Sequence, residues 1–411
     1  MNIAELASPP ISRADLERCV ACGLCLPLCP TYNVARNENA SPRGRLALMR
    51  GLLTSDLAPD EEIANHLSLC LQCRRCEAAC PAGVEYGRLI DAAKDNLLNA
   101  GFETANGKTR LIARLIASSK VSQLAFGRLL TAATRLRLLA LGRSIGLLRL
   151  LGLEDMASLL PPKPVPFIAR SFYPATGNRR GEAALFTGCI TSLVDGESLF
   201  ATIRVLTRLG FDVHIPREQN CCGAMHRHQG DHVTANKLTA GNINAFSGSE
   251  IPVISVATGC GAHLSEYPNK QFAARISDIN TFLVNVEWPT NVGLNILPKK
   301  VLVQDPCSLR NVLRQEKAVY QLLHKIPDLK VVSMPQNDTC CGGAGDYPLR
   351  EPEMAIELRR AKVEAIVNEQ FDYIASTNIG CALHMMSGLR EAGEDIEIVH
   401  PIVLIDRMLE N

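Results

Sequence analysis

A chain of 411 residues with 47% hydrophobic content is long enough for two or three packed domains, and its net charge of +1 offers no global attraction to nucleic acid. Sixteen cysteines would suit disulfides in a small secreted protein, but the opening MNIAELASPPISRADLERC carries acidic residues and no apolar core, so no secretory leader is expected. The cysteines read instead as metal ligands in a reducing cytoplasm, and the lack of any uninterrupted apolar run of about eighteen residues predicts no spanning helix.

Residues 1–100 are expected to form a helical cluster-binding domain. Residues 19–30 read CVACGLCLPLCP, which spaces Cys19, Cys22, Cys25 and Cys29 as C-x2-C-x2-C-x3-C before Pro30. Residues 70–81, CLQCRRCEAACP, repeat the pattern with Cys70, Cys73, Cys76, Cys80 and Pro81. Three thiolates at short intervals can wrap one corner of a cuboidal cluster, while the fourth, set off by a longer step and a proline, can reach a second cluster. The pattern predicts two 4Fe–4S clusters with crossed ligation. Cys19, Cys22, Cys25 and Cys80 would hold one; Cys70, Cys73, Cys76 and Cys29 would hold the other. Tetrahedral zinc commonly takes two separated pairs of ligands and gains nothing from a triplet plus an outlying Cys-Pro. Between the motifs, NENASPRGRLALMRGLL and EEIANHLSLC show helical periodicity, with a helix start at Ser41-Pro42. Arg43 and Arg45 are close in sequence to a cluster motif, where guanidinium groups would raise the potential of an anionic cluster; solvated on the surface, they would not.

Residues 101–179 read as a basic helical connector ending in an extended linker, PPKPVPF at 161–167. From Ala105 through Leu153 there is no Asp or Glu, while Lys108, Arg110, Arg114, Lys120, Arg128, Arg135, Arg137, Arg143 and Arg149 interleave with leucine and isoleucine. Such a stretch can lie on an anionic membrane surface or on an acidic partner, or it can pack leucines inward under solvated arginines.

Residues 180–411 contain an internal repeat, divided as 180–295 and 296–411. The first copy runs AALFTGC ending at Cys189, FDVHIP at 211–216, NCCGA around Cys221 and Cys222, then PVISVATGCGAH with Cys260 and His263. The second runs VLVQDPC ending at Cys307, LKVVSMP at 329–335, TCCGGAG around Cys340 and Cys341, then FDYIASTNIGCALH with Cys381 and His384. Each copy alternates buried-type strands with helical stretches, as a small parallel α/β unit would, and its cysteines fall where strands end. Adjacent cysteines suit a multi-iron site, so each copy is expected to ligate a cluster or metal with four thiolates. His263 and His384 would then serve as ligands or as donors behind the ligands. Buried thiols or zinc are the alternatives.

Together these motifs resemble the iron–sulfur subunit of glycolate oxidase and its relatives in D-lactate and anaerobic glycerol-3-phosphate dehydrogenases, and more distantly the CCG subunit of heterodisulfide reductase. CPTY at 29–32, SPRGR at 41–45, CPAGVEYGRL at 80–89, DPC at 305–307 and TNIGC at 377–381 carry the likeness. The resemblance implies an α+β multidomain chain, a helical two-cluster ferredoxin domain followed by two CCG domains. It also implies an electron-transfer role without substrate chemistry of its own. FAD on a partner subunit would oxidise a 2-hydroxy acid, glycolate to glyoxylate, and the electrons would go to quinone at the inner face of the cytoplasmic membrane. D-lactate or glycerol-3-phosphate dehydrogenase subunits, or a catalytic reductase acting at the CCG sites, are the alternatives. The heterodisulfide reductase pattern ends each repeat in C-x2-C, whereas here Cys260 precedes His263 and Cys381 precedes His384, which puts a five-thiolate cluster in doubt. The glycines of CCGGAG at 340–345 lack the spacing of a dinucleotide-binding turn, so no nucleotide site is expected.

Overall fold

The computed structural model describes residues 11–102, 120–136 and 138–410. Residues 11–102 are helical, as the periodicity predicts. Pro42–Thr54 starts where Ser41 caps it, with Ser41 Oγ accepting from Gly44 N at 3.0 Å and Pro42 in the first turn. Gly44 is required at that position, because a Cβ there would sit 2.0 Å from Glu38 O. Asp60 caps Glu61–Ser68, and Tyr86–Asn99 completes the bundle. Leu16, Leu46, Met49, Ile63, Leu67, Leu89, Ile90 and Leu97 form its core.

The repeat folds as two parallel sheets. The first contains β1 (Phe172–Tyr173), β2 (Gly181–Phe186), β3 (Phe211–His214), β4 (Val253–Ser255) and β5 (Ile276–Asp278) in the order β1-β3-β2-β4-β5, with only β1 antiparallel. The second contains β6 (Lys300–Gln304), β7 (Lys330–Ser333), β8 (Tyr373–Ser376) and β9 (Glu397–Val399) in the order β7-β6-β8-β9, all parallel. Leaving β1 aside, the two orders are the same. In each sheet the connections diverge between the central strands, β2 from β4 and β6 from β8, which opens a crevice at their carboxyl ends.

The two sheets share one apolar core. Helix Gly196–Arg208 packs against Pro401–Met408, and Leu199, Val205, Leu206, Leu322, Leu323, Ile402 and Ile405 belong to a single buried cluster. Arg204 Nε reaches both carboxylate oxygens of Asp406, at 2.9 and 3.0 Å, at the rim. The chain before residue 180 takes part in this body. Phe167 is buried in the shared core, Val165 bridges to Asp195, and Phe172–Tyr173 forms β1, so the proline-rich segment is packed along the first sheet. Helix Lys120–Arg135 is anchored on the same repeat, with Leu130 buried against Leu193 and Val194. Lys108, Arg110, Arg114 and Arg137 lie outside the described residues, as do the side chains of Lys120, Arg135 and Arg143. Among the described residues no helix is long and apolar enough to cross a membrane.

His400 links the two halves. Its Nε2 donates to Val256 O at 3.0 Å, and its Nδ1 accepts from Ile402 N at 3.1 Å, which fixes a neutral imidazole. Burial lowers its pKa from 6.5 to about 3, against an opposing pull from the Val256 carbonyl. The unfolded chain therefore takes up this proton below pH 6.5 and the folded chain only near 3, so the stability is full above 6.5 and falls as the pH drops toward 3. Between pH 7 and 5 His400 alone should account for about 2 kcal/mol. Chemical denaturation should show His400→Gln losing less stability than the native chain over that interval. Equal losses would remove His400 from the acid response.

Candidate metal centres

The two front motifs share a backbone conformation. Ala21 (φ 54°) and Gly23 (φ 83°) lie between the first three cysteines of one run, and Gln72 (φ 53°) and Arg74 (φ 56°) lie between those of the other. Left-handed residues between successive cysteines curl each run, so that its three thiols line one hollow. Arg74 adopts this conformation without being glycine, and its guanidinium is held by Glu77 and by Glu266 of the first repeat.

Cys19, Cys22, Cys25, Cys76 and Cys80 line the first hollow together with Pro42, Arg43 and Tyr86. Cys29, Cys70, Cys73 and Cys76 line the second, with Thr31, Arg45 and Tyr86. Each hollow thus contains the outlying cysteine of the other run, and Cys76 borders both. Burial pushes the Cys25, Cys73 and Cys76 thiols up; for Cys73 the next contribution is the Cys307 thiol of the second repeat. Such sulfur is poorly accommodated as bare thiolate, which matches a donor set meant to be balanced by bound iron.

The two arginines between the motifs differ. Arg43 is one-third exposed and pairs with Glu38 at 2.6 Å. Arg45 is 1% exposed, with Nε on His66 O at 2.8 Å and Nη2 on Thr31 Oγ1 at 3.1 Å. Burial acts to lower the Arg45 guanidinium, but Tyr86, Cys70 and Cys29 raise it overall. Arg45 is therefore a charge buried beside the second hollow. Lys94, fully buried and lowered to about 8 chiefly by that burial, also interacts with Cys70.

In each repeat the four cysteines converge at the crevice. Cys189 follows β2 and its Sγ is 3.4 Å from Cys221 Sγ; Cys222 reaches Cys260, which follows β4. The Cys221 thiol is drawn down by Cys189, but Cys222 and burial carry it up to about 12. In the second repeat Cys341 bonds both Cys340 and Cys381, and Cys340 bonds Cys307. Cys341 is held well down as the acceptor of its two thiol neighbours, aided by Gly343 N at 3.4 Å. Among the described residues no group of three or more Cys, His, Asp or Glu side chains is placed to hold a single metal ion. His384 is buried, with Nε2 3.0 Å from Ala355 O, while His263 packs edge-on against His228 and Tyr267.

The second front run rests directly on the second repeat. Leu71, Cys73, Cys307, Cys340 and Tyr347 form one cluster; Asn311 Nδ2 donates to Cys73 O at 2.7 Å, and Tyr347 OH donates to Leu69 O at 2.9 Å. The first repeat instead meets helix Tyr86–Asn99, where Lys94 Nζ donates to His228 O at 3.2 Å.

Residues 15–84 match the family described as a 4Fe-4S dicluster domain, and residues 183–265 and 301–386 match the cysteine-rich domain family. The chain is 34% identical to the probable glycolate oxidase iron-sulfur subunit of Bacillus subtilis, over 97% of this chain and 95% of that protein. The chain belongs to the glycolate oxidase iron–sulfur subunit family. It is 28% identical to the corresponding Escherichia coli subunit over 96% of its length, covering 94% of that protein. Similarity to lactate utilization protein A of Macrococcus caseolyticus is 27% over 56% of this chain and 98% of that one.

A member of this family is an iron–sulfur subunit of an oxidoreductase, which makes the surroundings of the cysteines functional residues in their own right. Lys94, Asn311 and Tyr347 were not singled out by sequence reasoning, because each acts through a contact between distant segments. A visible signal existed only for the run 226–232, whose His226, His228, Asp231 and His232 crowd into seven residues beside Asp91 and Asp95 of the front helix.

Arg45→Met should lower the reduction potential of the cluster nearest Cys29 and Cys70 by on the order of 100 mV, since a buried unit charge interacting by roughly 2 kcal/mol corresponds to about 90 mV for one electron. Arg43→Met, at a side chain one-third exposed and paired with Glu38, should shift potentials far less. Redox titration followed by EPR measures both, and equal shifts would contradict the distinction.

Proposed function

We propose that this chain is the electron-transfer subunit of a flavin-dependent glycolate dehydrogenase, taking electrons from FAD on a partner subunit and passing them towards quinone. The observation that carries this reading is the unbroken row of cysteine sites. The first hollow opens at the surface, where Cys22 is exposed between Val20 (71% exposed) and Leu24 (57%). The second shares Cys76 with it, and the second-repeat cysteines abut Cys73. Cys19, Cys22, Cys25 and Cys80 are assigned to one 4Fe–4S cluster, and Cys70, Cys73, Cys76 and Cys29 to another. The four cysteines of each repeat are assigned to further cluster sites.

Such clusters, when bound, supply one-electron carriers with potentials set by charge, hydrogen bonding and solvent exposure. The chain's own residues provide those settings. Buried Arg45 and Lys94 favour the reduced form at the second hollow, whereas Arg43 at the first is partly screened by solvent and paired with Glu38. The gradient therefore runs inward, from the exposed first run to the second and on to the second repeat. Asn311 ties the backbone of Cys73 to the second repeat and keeps the last step short.

The test is affinity purification of the intact chain from its native cells without oxygen. A FAD-containing polypeptide should copurify, and glycolate should bleach the iron–sulfur absorption of the complex. In the same complex, Cys29→Ser should abolish the EPR signal of the cluster whose other ligands begin at Cys70, and Cys80→Ser that of the other. Bleaching by the isolated chain, or loss of each run's own signal, would overturn the partner or the ligand assignment respectively.

Delivery to quinone requires a surface contact, and the connector supplies its chemistry. With one face on the first repeat, it leaves Leu129, Leu136, Leu138, Leu141, Ile145, Leu147, Leu150 and Leu151 exposed, between 43% and 83%, beside exposed Arg128 and Arg149. An apolar patch rimmed by cations fits an anionic lipid surface, with each basic residue there worth about 1 kcal/mol. Flotation on anionic liposomes should retain the native chain and lose a variant carrying Arg128→Glu, Arg149→Glu and Leu150→Ser. Equal flotation would shift the patch to protein docking.

A further inference from the structure

His384 and His263 occupy the same sequence position in the two repeats, three residues after the last cysteine, yet they are held differently. His384 is 2% exposed in helix Ile379–Glu391, one turn beyond Cys381. Its Nε2 lies 3.0 Å from Ala355 O. A carbonyl oxygen can only accept, so Nε2 carries the proton and Nδ1 is left with its lone pair. Nδ1 is buried and bonds no protein atom. The ring is also fixed in place by the Cys340-Cys341 loop: a Cβ added to Gly343 would come within 3.0 Å of His384 Cβ, and one added to Gly342 within 3.2 Å of Nε2.

The corresponding tie is missing in the first repeat. Ala235 lies against Gly223 as Ala355 lies against Gly342, with the two carbonyl oxygens 3.3 and 2.7 Å from the respective Cβ positions. His263 makes no bond to Ala235. Its Nε2 is buried without a partner, and its ring packs on His228 and Tyr267. An imidazole that ligates a metal characteristically donates its other N–H to a carbonyl or carboxylate, which fixes ring and tautomer. His384 has that arrangement and His263 does not.

We infer that His384 is, through Nδ1, a ligand of the metal group held by Cys307, Cys340, Cys341 and Cys381, and that the first repeat has no equivalent nitrogen ligand. The inference rests on the reading that these four cysteines hold an iron–sulfur cluster. As a fifth donor beside four thiolates, a neutral nitrogen leaves the site easier to reduce than a fifth thiolate would. It therefore breaks the symmetry of the repeat at the copy whose cysteines abut Cys73.

Pulsed EPR on the intact, anaerobically purified chain, labelled with nitrogen-15 histidine, tests this. The native protein should show a histidine nitrogen coupled to a paramagnetic cluster, and the coupling should survive His263→Ala but vanish in His384→Ala. His384→Cys, which restores a donor at the same place, should keep the iron content while losing the nitrogen coupling, so that loss of signal cannot be ascribed to misfolding. A cluster that is lost on Cys341→Ser but shows no histidine coupling in the native chain would overturn the inference alone. If Cys341→Ser leaves iron content and spectra unchanged, the underlying cluster reading falls, and the inference with it.

Discussion

Burying sulfur that must carry negative charge is the constraint on which the arrangement of this chain depends. A thiolate taken out of water is costly unless a cation or a donor compensates it. The front domain sets Arg45 and Lys94, buried, against the second run, and gathers its thiols into hollows whose donors suit iron. Arg45 in turn needs Thr31 and the His66 carbonyl to satisfy its guanidinium, so the capped helix Pro42–Thr54 that carries it cannot shift without leaving a buried charge unpaired. SPRGR is thus a structural unit: Ser41 caps, Pro42 starts the helix, Gly44 clears Glu38 O, and Arg45 points inward.

The repeat is symmetric in topology and asymmetric in detail. Equal strand orders place both sets of four cysteines at equivalent crevices. The contacts across the seam differ, however: Thr258 N donates to Thr377 O at 3.0 Å, and Asn378 places Nδ2 3.4 Å from Cys381 Sγ and Oδ1 3.4 Å from Gly259 N. Asn378 therefore touches the second-repeat sulfur while bonding the residue beside Cys260. Its counterpart in the first copy is Ala257, which offers no side-chain donor. A hydrogen bond to sulfur stabilises the more negative state, so the two copies differ at the last cysteine as well as at the histidine that follows it.

Much of this was legible in the sequence because spacing encodes it. The front motifs place each cysteine by counting, and the repeat declares itself through CCG and the strands on either side. Ser41-Pro42 announces a helix start by local chemistry alone. Arg45 was ambiguous because burial is set by Tyr86 and Thr31, neighbours that no local pattern identifies. PPKPVPF reads as an extended linker, whereas its Phe167 sits in a core assembled from both repeats. Its register depends on Ser192 and Val194, whose carbonyls accept from Phe167 and Val165. The two histidines looked alike for the same reason: only the fold reveals that Ala355 bonds one and that Ala235 leaves the other alone.

The division of labour between the repeats follows from where each meets the front domain. The second repeat meets it beside the cysteines, with Cys73 and Cys307 in a cluster with Leu71 and Tyr347, and also through Arg75 on Asp338 and Ser68 on Glu351. The first meets it at charge, through Asp91, Lys94 and Asp95 against His228 and His232. The contact of the first repeat, built from ionisable groups, responds to charge: the His228 bond draws Asp91 down against its burial, and burial together with Arg227 lowers His232. The shared core, with helix Gly196–Arg208 against Pro401–Met408, holds both contacts on one body, so neither interface can move without straining the other.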